Sequence, residues 1–190
     1  MRRTLRSALA LMAAAATLLV TARPSPAQDE PVGLAMERHT DVKYDPTWIR
    51  FRPNPYNGEH LNTYPGNGHR TYCYAGGTDD ERWELVYDGW QKFAGWTHAY
   101  NLTYTAFDHC DQVGTETDLT LDVAWVHLAP HEDWAYEPVY RSSNLYALCY
   151  YRVSESSTRW ELVVDRSNGY RAGFTYASYL NRDKLSWIPC

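Results

Sequence analysis

The chain has little positive charge and no long apolar run, and both shortages restrict what it can do. Its 18 lysines and arginines are outnumbered by 23 aspartates and glutamates, which gives a net charge of −5. An acidic surface repels phosphate backbones and anionic lipids, so binding to nucleic acid or to a membrane surface is disfavoured. The longest apolar stretch, near the N terminus, is shorter than the roughly 20 residues that a helix needs to span a bilayer.

Recognisable catalytic motifs are also missing. The chain contains no G-x-S-x-G nucleophile elbow and no H-E-x-x-H zinc motif. Glu59, Glu84, Glu137 and Asp88 could in principle supply an acid/base pair. However, Glu84 and Glu161 recur in a repeated strand, where we expect them on the solvent face. We therefore predict no catalytic residues, with a small hydrolase as the least favoured alternative.

Histidines do not form a convincing metal site. His127 and His131 with Asp133 are one candidate group, and His98 with His109 is another. Zinc needs three or four converging ligands, and four-residue spacing outside a helix does not bring side chains together. Disulfide formation would leave no cysteine for a metal. We expect neither a metal nor another cofactor.

The first 27 residues have the layout of a secretory signal peptide. Three arginines open the chain, an apolar stretch follows at 7–20, and Ser25, Pro26 and Ala27 suit cleavage. Removing 1–27 takes away four arginines and no acidic residue, so the net charge falls from −5 to −9. We therefore expect an exported protein, extracellular or associated with the cell wall, with no membrane span after cleavage.

The remainder contains two copies of one sequence pattern. Segments 48–110 and 125–190 each begin with tryptophan, share the run RWELV at 82–86 and 159–163, and close with cysteine. Four cysteines in an exported chain indicate two disulfides, with three possible pairings. A copy that folds as a unit closes its own bridge, which predicts Cys73–Cys110 and Cys149–Cys190. Each bridge would contribute about 3–4 kcal/mol. Bridges between copies are the alternative and would leave each copy's ends loose.

Short period-two alternation predicts an all-β protein. Residues 83, 85 and 87 share one face of a strand, and turn signals follow at Asp88-Gly89 and at 167–169. Returning strands are expected at 93–97 and 170–175. Short strands, many turns and 15% aromatic residues are typical of small barrels or sandwiches.

The run WIRFRP at 48–53 resembles the opening strand and loop of bacterial SH3-like domains. The pattern W-E-L-V…D-G…G-W-T-x-A-Y-x-L at 83–102 resembles their closing strands and short helical turn. The second copy departs from the pattern because Ala129 stands where the first copy has Arg52. The resemblance implies two SH3-like barrels in tandem, each with one internal disulfide. It also implies a non-enzymatic role in binding cell-wall peptide or glycan, with peptidoglycan as the partner.

These observations divide the chain into five parts. They are a signal peptide at 1–27, a disordered or loosely docked tail at 28–44, a first module at 45–112, a linker at 113–122 and a second module at 123–190.

The aromatic residues fall into two groups. Those shared by both copies are expected in the core: Trp48, Trp83, Trp96, Trp125, Trp160 and Phe174. Trp90, Trp134 and Trp187 have no aromatic counterpart in the other copy. Trp90, beyond a turn, and Trp134 with Tyr136, in a loop, are predicted to bind ligand by stacking. Packing between the modules is the alternative for these residues. An extracellular protein–protein interaction or inhibitor protein is the alternative function.

Overall fold

The computed structural model describes residues 37–56, 59–153 and 158–190, and their regular structure is mainly β-strand. The predicted signal peptide and residues 28–36 of the predicted tail lie outside these ranges. The first half contributes β1 (Arg38–Thr40), β2 (Thr47–Arg50), β3 (His60–Thr63), β4 (His69–Gly76), β5 (Arg82–Asp88) and β6 (Phe93–His98). The second contributes β7 (Thr115–Thr117), β8 (Val123–His127), β9 (Tyr136–Tyr140), β10 (Leu145–Arg152), β11 (Arg159–Asp165) and β12 (Arg171–Tyr176). The predicted all-β class is confirmed.

Short 3₁₀ turns connect or follow the strands. They lie at Ala99–Asn101, Cys110–Gln112, Arg166–Asn168, Ala177–Tyr179 and Arg182–Lys184. The turns at Ala99–Asn101 and Ala177–Tyr179 follow β6 and β12 directly, so each occupies the same place in its copy.

The strands form two antiparallel sheets with the same internal order. The first sheet runs β1-β4-β5-β6-β2-β3, and the second runs β7-β10-β11-β12-β8-β9. Each strand of the first sheet therefore corresponds to the strand six places later in the second. Matching isolated bridges join Val42 to Leu102 and Leu119 to Leu180. The repeat visible in the sequence is thus accompanied by a repeat of strand order.

Both sheets are open. β1 and β3 are the edges of the first, and within the described ranges these edges do not pair with each other. The same is true of β7 and β9 in the second sheet. The closed barrels expected of SH3-like modules are therefore absent from this part of the chain, and membership of that family stays a prediction.

The segments predicted to be a tail and a linker each contain an edge strand. β1 lies in the predicted tail and pairs with β4, with Arg38 opposite Thr71. β7 lies in the predicted linker and pairs with β10. Both are three-residue polar strands held by backbone hydrogen bonds. Apolar periodicity does not reveal such strands, because they bury no continuous apolar face of their own.

Residues of both halves contribute to the same hydrophobic clusters. A single buried cluster contains Leu85 and Trp96 of the first half together with Leu162 and Phe174 of the second. Phe51, which follows β2, is buried in a cluster made otherwise mainly of second-half residues. The copies are therefore packed together through their interiors.

Reciprocal backbone hydrogen bonds also join the halves. The N–H of Ala94 in β6 donates to the carbonyl of Leu128, at 2.7 Å. The N–H of Ala172 in β12 donates to the carbonyl of Phe51, at 2.9 Å. Because both donors and both acceptors occupy equivalent places in the repeat, the exchange is symmetric. This reciprocity is characteristic of a two-fold relation between copies.

The disulfides join Cys73 to Cys110 and Cys149 to Cys190, which is the pairing that the repeat predicts. Each bridge ties β4 or β10, the strand next to one edge of its sheet, to a segment near the end of its copy. Both bridges have a Cα–Cα distance of 5.0 Å.

The prediction that Glu84 and Glu161 face solvent is wrong, since both are fully buried. The carboxylate of Glu84 accepts hydrogen bonds from Arg82 Nε at 2.7 Å, Ala106 N at 2.8 Å and Thr71 Oγ1 at 2.9 Å. Alternation correctly separates Glu84 from the Trp83 face. The segment that leads to Cys110 covers the opposite face, and alternation cannot reveal that cover.

Glu161 makes the equivalent contacts in the second copy. Its carboxylate accepts from Arg159 Nε at 2.6 Å and from Ser186 N at 3.1 Å. Burial raises the pKa of Glu161 to about 7, although Arg159 acts in the opposite direction. Burial likewise raises the pKa of Glu84. Both carboxylates hold the closing segment of their copy in place.

Candidate functional site

One tryptophan in each copy is exposed at the same place in the opening strand. Trp48 in β2 is 50% exposed and Trp125 in β8 is 43% exposed. Their neighbours Ile49 and Val126 are fully buried, as expected when successive side chains of a strand point to opposite faces. The prediction that all shared aromatic residues lie in the core is therefore wrong for these two.

The other shared aromatic residues do lie in the core. Trp83, Trp96, Trp160 and Phe174 are all buried. The signal that separates Trp48 from them is local: it alternates with Ile49 in a short strand. A shared position in a repeat indicates shared geometry, which can be exposed as well as buried.

Trp48 borders a cleft of about 420 Å³. Trp48 and Arg50 line it from β2, while His98 and Tyr100 line it from the end of β6 and the turn that follows. The guanidinium carbon of Arg50 lies 5.2 Å from the centre of the Trp48 ring. The rings of His98 and Tyr100 stack at 4.8 Å with an interplanar angle of 19°. We call this the first cleft.

Trp125 borders a second cleft, of about 390 Å³. Four of the aromatic rings that line this cleft form two nearly perpendicular pairs. Trp125 and Tyr136 meet at 5.0 Å and 72°, and Tyr176 and Tyr179 meet at 5.2 Å and 79°. His127 and Glu132 complete the lining, and the Tyr176 hydroxyl donates a hydrogen bond to the Glu132 carboxylate.

Strand register shows that the two clefts are equivalent. Arg50 pairs with Trp96 in the first sheet, and His127 pairs with Phe174 in the second. Arg50 and His127 therefore occupy the same position. In the same way, His98 pairs with Trp83 and Tyr176 pairs with Trp160. His98 and Tyr176 therefore occupy equivalent positions.

The loop after the opening strand extends the comparison. The Asn54 N–H donates to the Arg52 carbonyl, and the His131 N–H donates to the Ala129 carbonyl, each at 2.8 Å. One residue further along each chain segment, Pro55 and Glu132 line their respective clefts. The second cleft therefore carries an acidic side chain where the first has a proline.

A glycine in each copy brings the opening strand close to its neighbour. A Cβ atom at Gly95 would lie 2.4 Å from the carbonyl oxygen of Arg50. A Cβ atom at Gly173 would lie 2.7 Å from the carbonyl oxygen of His127. The repeated glycine thus permits the close approach of β2 to β6 and of β8 to β12, which positions Arg50 and His127 in the clefts.

The charges of the two clefts differ in sign. Burial lowers the pKa of His98 and of His127, which favours the neutral form of both rings at neutral pH. Among the described residues that line the first cleft, Arg50 is the one with a full charge, and it is positive because its guanidinium stays protonated in proteins. The carboxylate of Asp79, outside that lining, lies 3.6 Å from Nε2 of His98. Glu132 makes the second cleft negative.

The structure separates the three residues that were predicted to bind ligand. Tyr136 lines the second cleft. Trp134 is half-buried and packs against Phe93 of the first half, with ring centres 6.4 Å apart, so it lies at the seam between the halves. Trp90 is 79% exposed and lines neither cleft.

A buried polar network resembles a catalytic triad in its connectivity. Thr63 Oγ1 lies 2.5 Å from His69 Nε2, and His69 Nδ1 lies 3.0 Å from Asp41 Oδ1. Thr63 and His69 are fully buried, and the Thr63 hydroxyl donates to the carboxylate of Asp88 at 2.5 Å. The Thr63 hydroxyl proton is thus used in the hydrogen bond to Asp88, and burial prevents a substrate from reaching the oxygen. The network ties β3, β4 and β5 together.

Candidate metal-binding groups and membrane-crossing helices are both absent from the described residues. Across them, no three His, Cys, Asp or Glu side chains are grouped so as to hold a metal ion. No helix in these ranges combines the length and the apolar character that crossing a membrane requires.

Comparisons of the chain with protein-family models, with curated proteins and with solved structures gave no match. Function is therefore inferred from the two clefts.

Proposed function

We propose that the protein is an exported, non-catalytic binding protein that holds cell-wall peptide or glycan in two aromatic clefts. In this proposal, a divergent pair of SH3-like modules displays the clefts. The observation that carries it is the exposure of Trp48 and Trp125 at equivalent places, each at the border of an open cleft.

The clefts suit a ligand that stacks on aromatic rings. Their volumes, 420 and 390 Å³, fall within the usual range of roughly 300–1,000 Å³ for ligand sites. Tryptophan and tyrosine offer large contact areas at low entropic cost. Since the protein carries net negative charge, stacking, shape and hydrogen bonds would have to supply most of the affinity for an anionic wall polymer.

The covalent structure supports an extracellular location. The chain has two disulfides. Disulfides persist in oxidising compartments and are uncommon in the cytosol. The leader-like segment at 1–27 points to the same location.

The proposal is tested by sedimentation with insoluble peptidoglycan. Wild-type protein should pellet at low salt, and the double variant Trp48→Ala/Trp125→Ala should stay in the supernatant. Trp90→Ala and Trp187→Ala are matched controls, because both tryptophans are exposed outside the clefts. Failure of the wild type to pellet, or unchanged pelleting of the double variant, would remove the proposal.

A second candidate function is binding to another extracellular protein. Trp90 and Trp187 are 79% and 85% exposed, and exposed tryptophans are frequent anchors of protein interfaces. Under this alternative, a partner co-purifies from culture medium with wild-type protein and is lost with Trp90→Ala or Trp187→Ala. Loss with Trp48→Ala/Trp125→Ala alone would point back to the clefts.

A further inference from the structure

We propose that the second cleft binds an organic ammonium group, whereas the first cleft does not. The inference rests on the proposed function in one respect, namely that the clefts are binding sites. It adds the chemical class of ligand that one of them recognises.

The arrangement of rings is the first support. Trp125 with Tyr136 and Tyr176 with Tyr179 form two nearly perpendicular pairs around one cavity. Aromatic faces attract cations through the ring quadrupole, most strongly when the ring is tryptophan. Several rings at right angles present faces and edges from different directions, so a compact alkylated cation can contact more than one ring.

A carboxylate at the same cavity is the second support. Glu132 is exposed and lines the cavity, and the Tyr176 hydroxyl orients its carboxylate. His127, the other ionisable group of the lining besides the tyrosines, favours its neutral form because burial lowers its pKa. The described residues that line this cavity include no lysine or arginine. Arg159 and Arg182 line the adjoining cavity, which shares Glu132, Tyr176 and Tyr179 with this one. The guanidinium of Arg159 is paired with the buried Glu161.

The first cleft supplies an internal comparison. There the guanidinium of Arg50 lies over the ring of Trp48, at 5.2 Å from its centre. The tryptophan of the repeat thus already contacts a cation in one copy, and that cation belongs to the chain. In the second copy His127 replaces the arginine, so Trp125 can take a cation from a ligand.

Two neighbouring positions also differ between the clefts. Pro55 of the first cleft corresponds to Glu132, and His98 corresponds to Tyr176. The first difference adds a carboxylate to the second cleft, and the second difference replaces an imidazole ring by a phenol ring. The described residues that line the two clefts therefore carry charges of opposite sign, Arg50 in the first and Glu132 in the second.

Calorimetric titration with choline tests the proposal at constant ionic strength. Its neutral isostere, 3,3-dimethylbutan-1-ol, has the same shape without the charge. We expect saturable choline binding to the wild type and binding of the isostere that is weaker by about tenfold or more. Trp125→Ala and Glu132→Gln should each weaken choline binding several-fold, and Trp48→Ala should leave it unchanged. Trp125→Phe keeps an aromatic face and should retain most of the binding.

Three results would overturn the proposal. They are no saturable binding of choline, equal binding of the isostere, and loss of binding in Trp48→Ala but not in Trp125→Ala. A titration with Nα-acetyl-lysine methylamide, which keeps the charged side-chain amine, separates two sources of the cation. Tighter binding of the lysine compound than of choline identifies a peptide amine, and clear preference for choline identifies a quaternary ammonium compound. Sedimentation with peptidoglycan is scored separately, so failure of choline binding leaves the proposed function standing, and the reverse also holds.

Discussion

The buried carboxylate of Glu84 accepts a hydrogen bond from the backbone N–H of Ala106 at 2.8 Å, which fixes the segment leading to Cys110. Arg82 reinforces the contact, since its guanidinium donates both to Glu84 and to the carbonyl of Ala106. Arg159 and Glu161 repeat the arrangement around Ser186. The identical RWELV runs therefore have a structural explanation: each supplies a core strand and an anchor for the closing segment of its copy.

Replacement of Glu84 by alanine should destabilise the protein. The N–H of Ala106 and the hydroxyl of Thr71 would lose their acceptor in a buried site. An unsatisfied buried group costs about 1–3 kcal/mol, so the free energy of unfolding should fall by at least that amount. Urea denaturation measures the change. Glu81→Ala is the control, because Glu81 is exposed, and an equal effect of both substitutions would contradict the prediction.

The pKa of Glu161 predicts a pH-dependent contribution to stability. Its folded value of about 7 lies above the ordinary value of 4.5, so the folded protein retains a proton that the unfolded chain releases. The stabilisation is therefore complete below about pH 4.5 and is lost as the pH rises through about 7. The free energy of unfolding of the wild type minus that of Glu161→Gln should fall by about 3 kcal/mol between about pH 4.5 and pH 8.

The comparison with Glu161→Gln removes the effect of other titrating groups. His98 and His127 have lowered pKa values and contribute stability with the opposite pH dependence, but both are present in each protein. Urea denaturation across the pH range measures the difference. A difference that stays constant with pH would show that Glu161 keeps its ordinary pKa on folding.

Removal of the second disulfide should lower the free energy of unfolding by more than a typical point mutation does. Cys149 and Cys190 are separated by 41 residues, and closing a loop of that size contributes about 3–4 kcal/mol. The variant Cys149→Ser/Cys190→Ser should lose that much free energy of unfolding, as measured with urea. Mass mapping of the oxidised wild type provides the check on pairing. A bridge from Cys73 to Cys149 or Cys190, or free thiols in the exported protein, would contradict the structure.

The features that were predictable from the sequence are local or repeated. Alternation in 83–87 and the turn at Asp88-Gly89 predict β5 and the start of β6, and the repeat predicts the disulfide pairing. These inferences succeed because each depends on neighbours along the chain or on comparison of two copies. They require no knowledge of how the sheets pack.

The features that were missed depend on contacts between distant segments. The burial of Glu84 results from a segment 22 residues away, and Phe51 is buried by the other half of the chain. Their presence in both copies predicts a core position for Trp48 and Trp125, whereas strand alternation puts their side chains on the face away from the buried Ile49 and Val126. Only the register of β2 against β6 and of β8 against β12 reveals that their clefts are equivalent.

Two clefts on one rigid body should bind a wall polymer more tightly than either cleft alone. Both halves contribute to the same hydrophobic clusters and exchange backbone hydrogen bonds at Ala94 and Ala172, so the clefts keep a fixed separation. Once either cleft has bound the polymer, binding at the other cleft is an intramolecular step, which can raise the affinity by roughly 10²–10⁴-fold. Trp48→Ala and Trp125→Ala should each lower the apparent affinity for insoluble wall by more than about tenfold, with Trp187→Ala as the control. The measurement is a binding isotherm by sedimentation. If each single variant instead halves the capacity at unchanged affinity, the clefts act independently, because loss of one site then leaves the other with its full strength.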